Sequence, residues 1–277
     1  MGHYSPVGEA HAIEQAIVGV RLFESADAAS FDAAIKATEK LQVDFPGRMQ
    51  IDAMALAFGR QVITHGYVNQ AQLYPGFICQ RVRPDGSTQH ELTIERSAVT
   101  YRTNEYQRWE DVARVIESIL CPVVEALTGG DMTKLAVVEL RCVDRFNVVG
   151  DGATALKNLV RPDTKFIPPS LLDSEELLHA HCGWFQGHTD DGRYLLNINL
   201  DLGELDDGER TATILQVISA QCAPERTFFS SKGTLTESML AIFLDLHAKD
   251  KAMLAGVITD ELQAKIGLSG SSGISVL

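Results

Sequence analysis

The sequence predicts an α+β protein made of two similar halves, each an antiparallel β-sheet covered by a long amphipathic helix. Three observations predict it. Residues 106–130 and 234–258 both keep apolar side chains at the i, i+3, i+4, i+7 spacing of a helix that buries one side. Ahead of each lie short runs of alternating apolar and polar residues joined by turn residues, the pattern of an antiparallel meander. The runs that open the two groups, Ala16 to Phe23 (AIVGVRLF) and Ala136 to Val143 (AVVELRCV), align without a gap and put Arg21 on Arg141. Strand, helix, several strands and long helix thus recur as a β-α-β-β-β-α pseudo-repeat, with the two sheets continuous across a pseudo-twofold axis. The expected division is 1–130, 131–268 and a mobile Gly/Ser-rich tail, 269–277.

Each element has its own warrant. Ala12 to Glu24 is rich in β-branched residues and reads as a strand. A helix follows, with Ser30 as N-cap, Phe31, Ile35 and Leu41 at helical spacing, and Pro46-Gly47 as its stop. Met49 to Gly59 is read as a strand and Gln61 to Gly76, which contains His65, as an irregular link. Phe77, Cys79 and Val82 lead into the turn Pro84-Asp85-Gly86, after which alternation resumes through Leu92, Ile94, Val99 and Tyr101. Trp109, Val112, Ile116, Ile119, Leu120, Val123 and Leu127 mark the clearest helix, kinked by Pro122 and ended by Gly129-Gly130. Leu135 to Phe146 opens the second group, and residues 150–160 form a short helix candidate. Residues 176–187, 193–202 and 211–221 read as strands joined by HTDDG and GELDDGE. The last helix carries Leu235, Met239, Ile242, Phe243, Leu246, Met253 and Val257. Its stripe is too short for a coiled coil, but Leu244 and Met253 widen it enough to suggest contact with a second copy, a homodimer.

Composition narrows the function. A net charge of −13 with no basic cluster disfavours nucleic acid and suits a basic protein partner. Five scattered cysteines without a C-x-x-C pair read as reduced thiols of a cytoplasmic protein. The N-terminus lacks a secretory pattern, and no apolar run reaches the roughly 18 residues of a membrane span.

Period two places Val138, Leu140 and Cys142 on one face of their strand and Val137, Glu139, Arg141 and Val143 on the other. The candidate ligand-binding residues are Arg21, Arg141 and Arg145. In the functional reading Arg21 and Arg141 project between the halves and hold a small anionic ligand, since a guanidinium grips carboxylate or phosphate bidentately. In the structural reading each pairs with a carboxylate such as Glu139 or Glu24 on a half-solvated sheet face.

A second cluster is HAHCGWFQGHTDD. His179 and His181 share a strand face, as a two-histidine metal site requires, and His188 or Asp190 could complete three ligands. The same alternation also fits histidines on a solvated face with Leu178, Ala180, Cys182 and Trp184 inward. GDGATAL lacks the spacing of a phosphate loop, and no Ser sits in a G-x-S-x-G elbow.

Several short motifs taken together resemble those of a sporadically distributed bacterial family of unknown function. They are Arg21-x-Phe23, Phe45-Pro46, Tyr106 with Trp109, Leu140-Arg141 with Arg145, Leu246-His247 and Ile258 to Leu262. The resemblance covers nearly the whole chain and implies the same architecture, but no activity or cofactor. That family's strand commonly reads Leu-Arg-Tyr-x-Asn-Arg, where this sequence has Cys142 and Asp144. With no nucleophile, base or cofactor loop in evidence, the expectation is a non-catalytic binding or interaction protein that needs no cofactor. It would engage a protein partner or a small anionic ligand between its halves. The alternative is a metal-dependent enzyme built on His179, His181 and His188.

Overall fold

The computed structural model describes residues 2–8, 10–51, 76–150, 154–174, 176–205, 208–226 and 233–268. They form an α+β structure dominated by a large antiparallel sheet. Ten strands are hydrogen-bonded in the order Gly47–Ile51, Gly76–Val82, Thr88–Glu95, Ala98–Thr103, Ile13–Leu22, Leu135–Val149, Arg210–Cys222, Gly192–Glu204 and Leu178–Thr189, with His3–Pro6 beside Leu135–Val149. By compactness the chain divides into two units. One is Ile17–Val138 with Cys222–Ala241, and the other is Met1–Ala16, Glu139–Gln221 and Ile242–Leu277.

The first unit takes most of β2 (Ile13–Leu22), α1 (Ala28–Ala37), β3 (Gly47–Ile51), β4 (Gly76–Val82), β5 (Thr88–Glu95), β6 (Ala98–Thr103), α2 (Trp109–Val115) and α3 (Cys121–Thr128). The cap of α1 is Asp27 rather than Ser30, for the Asp27 carboxylate accepts from the Ser30 backbone N–H at 2.7 Å and Ser30 lies inside the first turn. The meander forms as expected, with Cys79 opposite Leu92 and Leu92 opposite Tyr101. Gly86 takes φ +87° in its turn, and Asp85 accepts from the Ser87 N–H. Where Pro122 was expected to kink one long helix, a π-turn at Ile116–Leu120 separates α2 from α3. The proline, lacking a donor, follows the π-turn as the second residue of α3. Gly129 closes α3 in the left-handed region. Val18, Val20, Leu92, Ile94, Val99, Ile116 and Leu120 are buried. Of the strand expected from Met49, the part to Ile51 is described and is a strand. Its remainder, the link to Pro75 and His65 lie outside the described residues, as does the tail 269–277.

The second unit contains β1 (His3–Pro6), β7 (Leu135–Val149) from Glu139, β8 (Leu178–Thr189), β9 (Gly192–Glu204), β10 (Arg210–Cys222), the later turns of α4 (Leu235–Ala255) and α5 (Asp260–Lys265). β1 was not anticipated, because four residues are too few to show alternation; it pairs Tyr4 with Val148. Where the pseudo-repeat called for a helix after β7, the described residues form only 3₁₀ turns at Leu156–Asn158 and Pro169–Leu171. The GDGATALKNLV segment supplies the first of them. Among the described residues only α4, at 21 residues, is a long unbroken helix. Its buried stripe runs Met239, Ile242, Phe243, Leu246, Asp250, Met253, Leu254. Met253 is in the core while Leu244 is 60% exposed, so the two do not widen one stripe. All five cysteines are free; Cys79, Cys121 and Cys142 are buried and Cys182 and Cys222 half-buried. No described helix is long and apolar enough to cross a membrane.

Candidate functional site

The second unit presents two faces of one sheet, and both carry polar chemistry. On the solvated face of β7, Arg141 pairs with Glu139, two residues away on the same side, at 2.6 Å. Arg145 pairs with Glu14 of β2 at 2.8 Å. Both guanidinium groups are therefore already matched by a carboxylate. Arg21 is exposed and belongs to the other unit.

Further along that unit, β8 and β9 pair residue for residue, and period two sets His179, His181, Gly183 and Phe185 against Asp201, Asn199, Asn197 and Leu195. His179 Nδ1 lies 2.6 Å from Asp201 Oδ1, and His181 Nδ1 contacts Asn199 Oδ1. The carboxylate oxygen of Asp201 and the amide oxygen of Asn199 accept, which suits a ring that donates from Nδ1. A Cβ on Gly183 would run into Asn197 Oδ1, so the missing side chain is what lets that amide lean across the strand. Phe185 is 54% exposed, with the Arg193 guanidinium 3.9 Å from its ring centre and held by Gln221. The inward face holds Ala180 and Trp184, with Trp184 stacked on Phe166. Among the described residues no three His, Cys, Asp or Glu side chains are grouped to hold a metal ion. The His188 side chain lies outside the described residues.

The interior face is less ordinary. Continuing the register past Cys142 brings Asp144 inward, 1% exposed, and the stripe of α4 brings Asp250 inward, 3% exposed. Gln216 of β10, fully buried, donates from Nε2 to the Asp250 backbone carbonyl at 2.7 Å. The Cys142 thiol donates to the Asp250 carboxylate. Neither Asp144 oxygen, nor Asp250 Oδ1, nor Gln216 Oε1 has a hydrogen-bond partner among the described residues. Burial, reinforced by the neighbouring Asp250, holds the Asp144 carboxyl well above the usual carboxylate range. Burial pushes Asp250 up to about 7, and it pushes the Cys142 thiol well up. Sequence reasoning passed over this pair although the signal was present. Asp144 is in phase with Val138, Leu140 and Cys142, and Asp250 fills the gap between Leu246 and Met253 in the apolar stripe.

In the first unit Tyr101, His90 and Glu105 line up. The Tyr101 hydroxyl is 3.0 Å from His90 Nδ1, and His90 Nε2 is 4.0 Å from Glu105. The order resembles a base and its orienting acid, but Tyr101 is buried with its ring edge-on to Phe45, and burial raises it to about 12. Burial also depresses His90. A shielded, weakly acidic phenol is a packing element with its polar end satisfied.

No family model, curated protein or solved structure matches the chain.

Proposed function

We propose that the chain is a non-catalytic interaction protein, and that its contact surface is the solvated sheet face of β8 and β9. The observation that carries this is the exposed Phe185 under the Arg193 guanidinium, beside the row of His179 and His181. An aromatic with an arginine clamped over it offers apolar area and charge at small entropic cost, the mix that dominates protein contacts. A small anion fits less well. Arg141 and Arg145 already hold carboxylates, so an incoming phosphate would have to displace Glu139 or Glu14. The partner is a protein with a basic contact surface, complementary to the net charge of −13. The five free thiols support a reducing, cytoplasmic setting.

The test is capture on immobilised wild type and on a Phe185→Ala/Arg193→Ala variant of equal melting temperature. A partner kept by the first and lost by the second is expected; equal capture on both would overturn this reading.

The clamped histidines favour a second reading. A ring that donates Nδ1–H to a fixed oxygen and keeps Nε2 open is arranged as metal-binding histidines are. His188 would have to supply the third ligand. Elemental analysis of purified wild type and His181→Ala decides it: a stoichiometric transition metal lost in the variant would replace the interaction reading with a metal enzyme.

We also read the chain as a duplication. Outward from β2 the strand order is β6, β5, β4, β3, and outward from β7 it is β10, β9, β8, so in both groups the later strands lie nearer the opening one, which supports the alignment of Arg21 with Arg141.

A further inference from the structure

The buried acids are not explained by any contact surface. A folded core ordinarily pairs its polar atoms, and a lone ionised carboxylate there is strongly disfavoured. Here two carboxyls enter one core from different elements, Asp144 from β7 and Asp250 from α4. Around them four acceptor atoms go without a donor among the described residues: both oxygens of Asp144, Asp250 Oδ1 and Gln216 Oε1. The donors the cluster does have are the Cys142 thiol, given to Asp250, and the Gln216 amide, given to the helix backbone. Protons are the donors that complete such a set, since a protonated carboxyl both loses its charge and gains an O–H.

The surroundings hold the charged form only weakly, for the Cys142 thiol and Lys251 lower Asp250 by less than burial raises it. From β7 the titratable groups are Cys142 and Asp144, and from β10 the facing group is the uncharged Gln216. On α4 itself, Lys251 follows Asp250 and acts on it weakly, while His247 lies one turn before it. Lys249 is engaged with Asp245 and with the Tyr194 ring. Among the described residues no cation is seated against Asp144.

We propose that Asp144 and Asp250 form a proton-operated clasp, closed when protonated, that fastens the second half of α4 to β7 and β10 and loosens as the protons leave. The direction of the effect follows from where each acid titrates. In the unfolded chain both acids ionise near the ordinary 3.8, whereas in the fold Asp250 holds its proton up to about 7 and Asp144 beyond the ordinary range. Between those values the folded state binds more protons, so stability falls as pH rises through the window and the slope ends above the folded values.

The experiment is urea unfolding and amide exchange, corrected for the intrinsic rate, at about pH 5 and about pH 8 for wild type, Asp144→Asn, Asp250→Asn and the double variant. Wild type should lose midpoint between the two conditions, each variant should lose less, and the double variant least. Exchange in wild type should rise on α4 from Ile242 onward, with no matching rise on β4 to β6. Infrared difference spectra of wild type across the same range should show a protonated-carboxyl band that disappears as pH rises, and this readout requires no variant to fold. A band absent at about pH 5, or a pH slope identical in wild type and double variant, or a rise in exchange spread evenly over the chain, would overturn the clasp.

Discussion

The two faces of β7 carry the same kinds of residue to opposite ends. Arg141 and Asp144 are three positions apart on one strand, yet one side chain lies in water and the other in the core. Outside, charge is met cheaply. Glu139 answers Arg141 from two residues away, and an exposed pair of this kind contributes only about 0–1 kcal/mol. Inside, no described residue of opposite sign answers Asp144, and the group avoids the expense of a buried charge by keeping its proton. The faces differ because the sheet has a helix on one side and water on the other, not because the residues differ in type. A charged letter in an apolar run therefore has to be read with its register.

The comparison can be broken most directly on its apolar members. Leu140→Ala, on the interior face, should destabilise by about 2–5 kcal/mol, the range for removing a fully buried leucine. Val143→Ala, on the solvated face, should stay within about 1 kcal/mol. Equal losses in chemical unfolding would mean that the solvated face is covered in solution.

The next effect sharpens the comparison through pH. At about pH 8 Asp250→Asn should stabilise by on the order of 2 kcal/mol, since each unit of pKa elevation in the fold is worth about 1.4 kcal/mol and part of it is lost with the Cys142 hydrogen bond. The gain should shrink toward about pH 5, where wild-type Asp250 is protonated. On the outer face, Arg141→Ala and Glu139→Ala should each cost less than about 1 kcal/mol, and salt should erase the difference. An Arg141→Ala loss as large as that of Leu140→Ala would place Arg141 in the core energetics after all.

What was legible in the sequence divides along the same line. Periodicity found the strands and both faces of β7, because alternation survives wherever one side is buried. It found the outward histidines by the same rule. It missed β1, which is too short to alternate, and it set the cap of α1 three residues late, because Asp27 and Ser30 are both competent caps and only the backbone decides. The helix expected within residues 150–160 is, among the described residues, a 3₁₀ turn at Leu156–Asn158, for the stretch is too brief to show a full helical period. The acid pair was missed for a different reason. An apolar stripe is defined by its apolar members, so periodicity is silent on a polar residue that stands in phase with them. Asking what stands at 250 when 246 and 253 are buried would have found it.

The smallest expected effect is none, and it bears on the anion reading of the arginines. Phosphate or succinate should leave the melting temperature of wild type unchanged, because binding would require one of the carboxylates on Arg141 or Arg145 to leave. Such a ligand gains a bidentate contact but gives up a preformed one at 2.6 or 2.8 Å, and the exchange yields no net stabilisation unless the anion also desolvates the site. Melting curves of wild type, Arg141→Lys and Arg21→Lys in each anion check it, since lysine keeps the charge but loses the fork. A wild-type rise that both variants lack would return these arginines to a ligand site, and Glu139 would then act as a gate that the anion opens rather than as the partner that keeps Arg141 occupied.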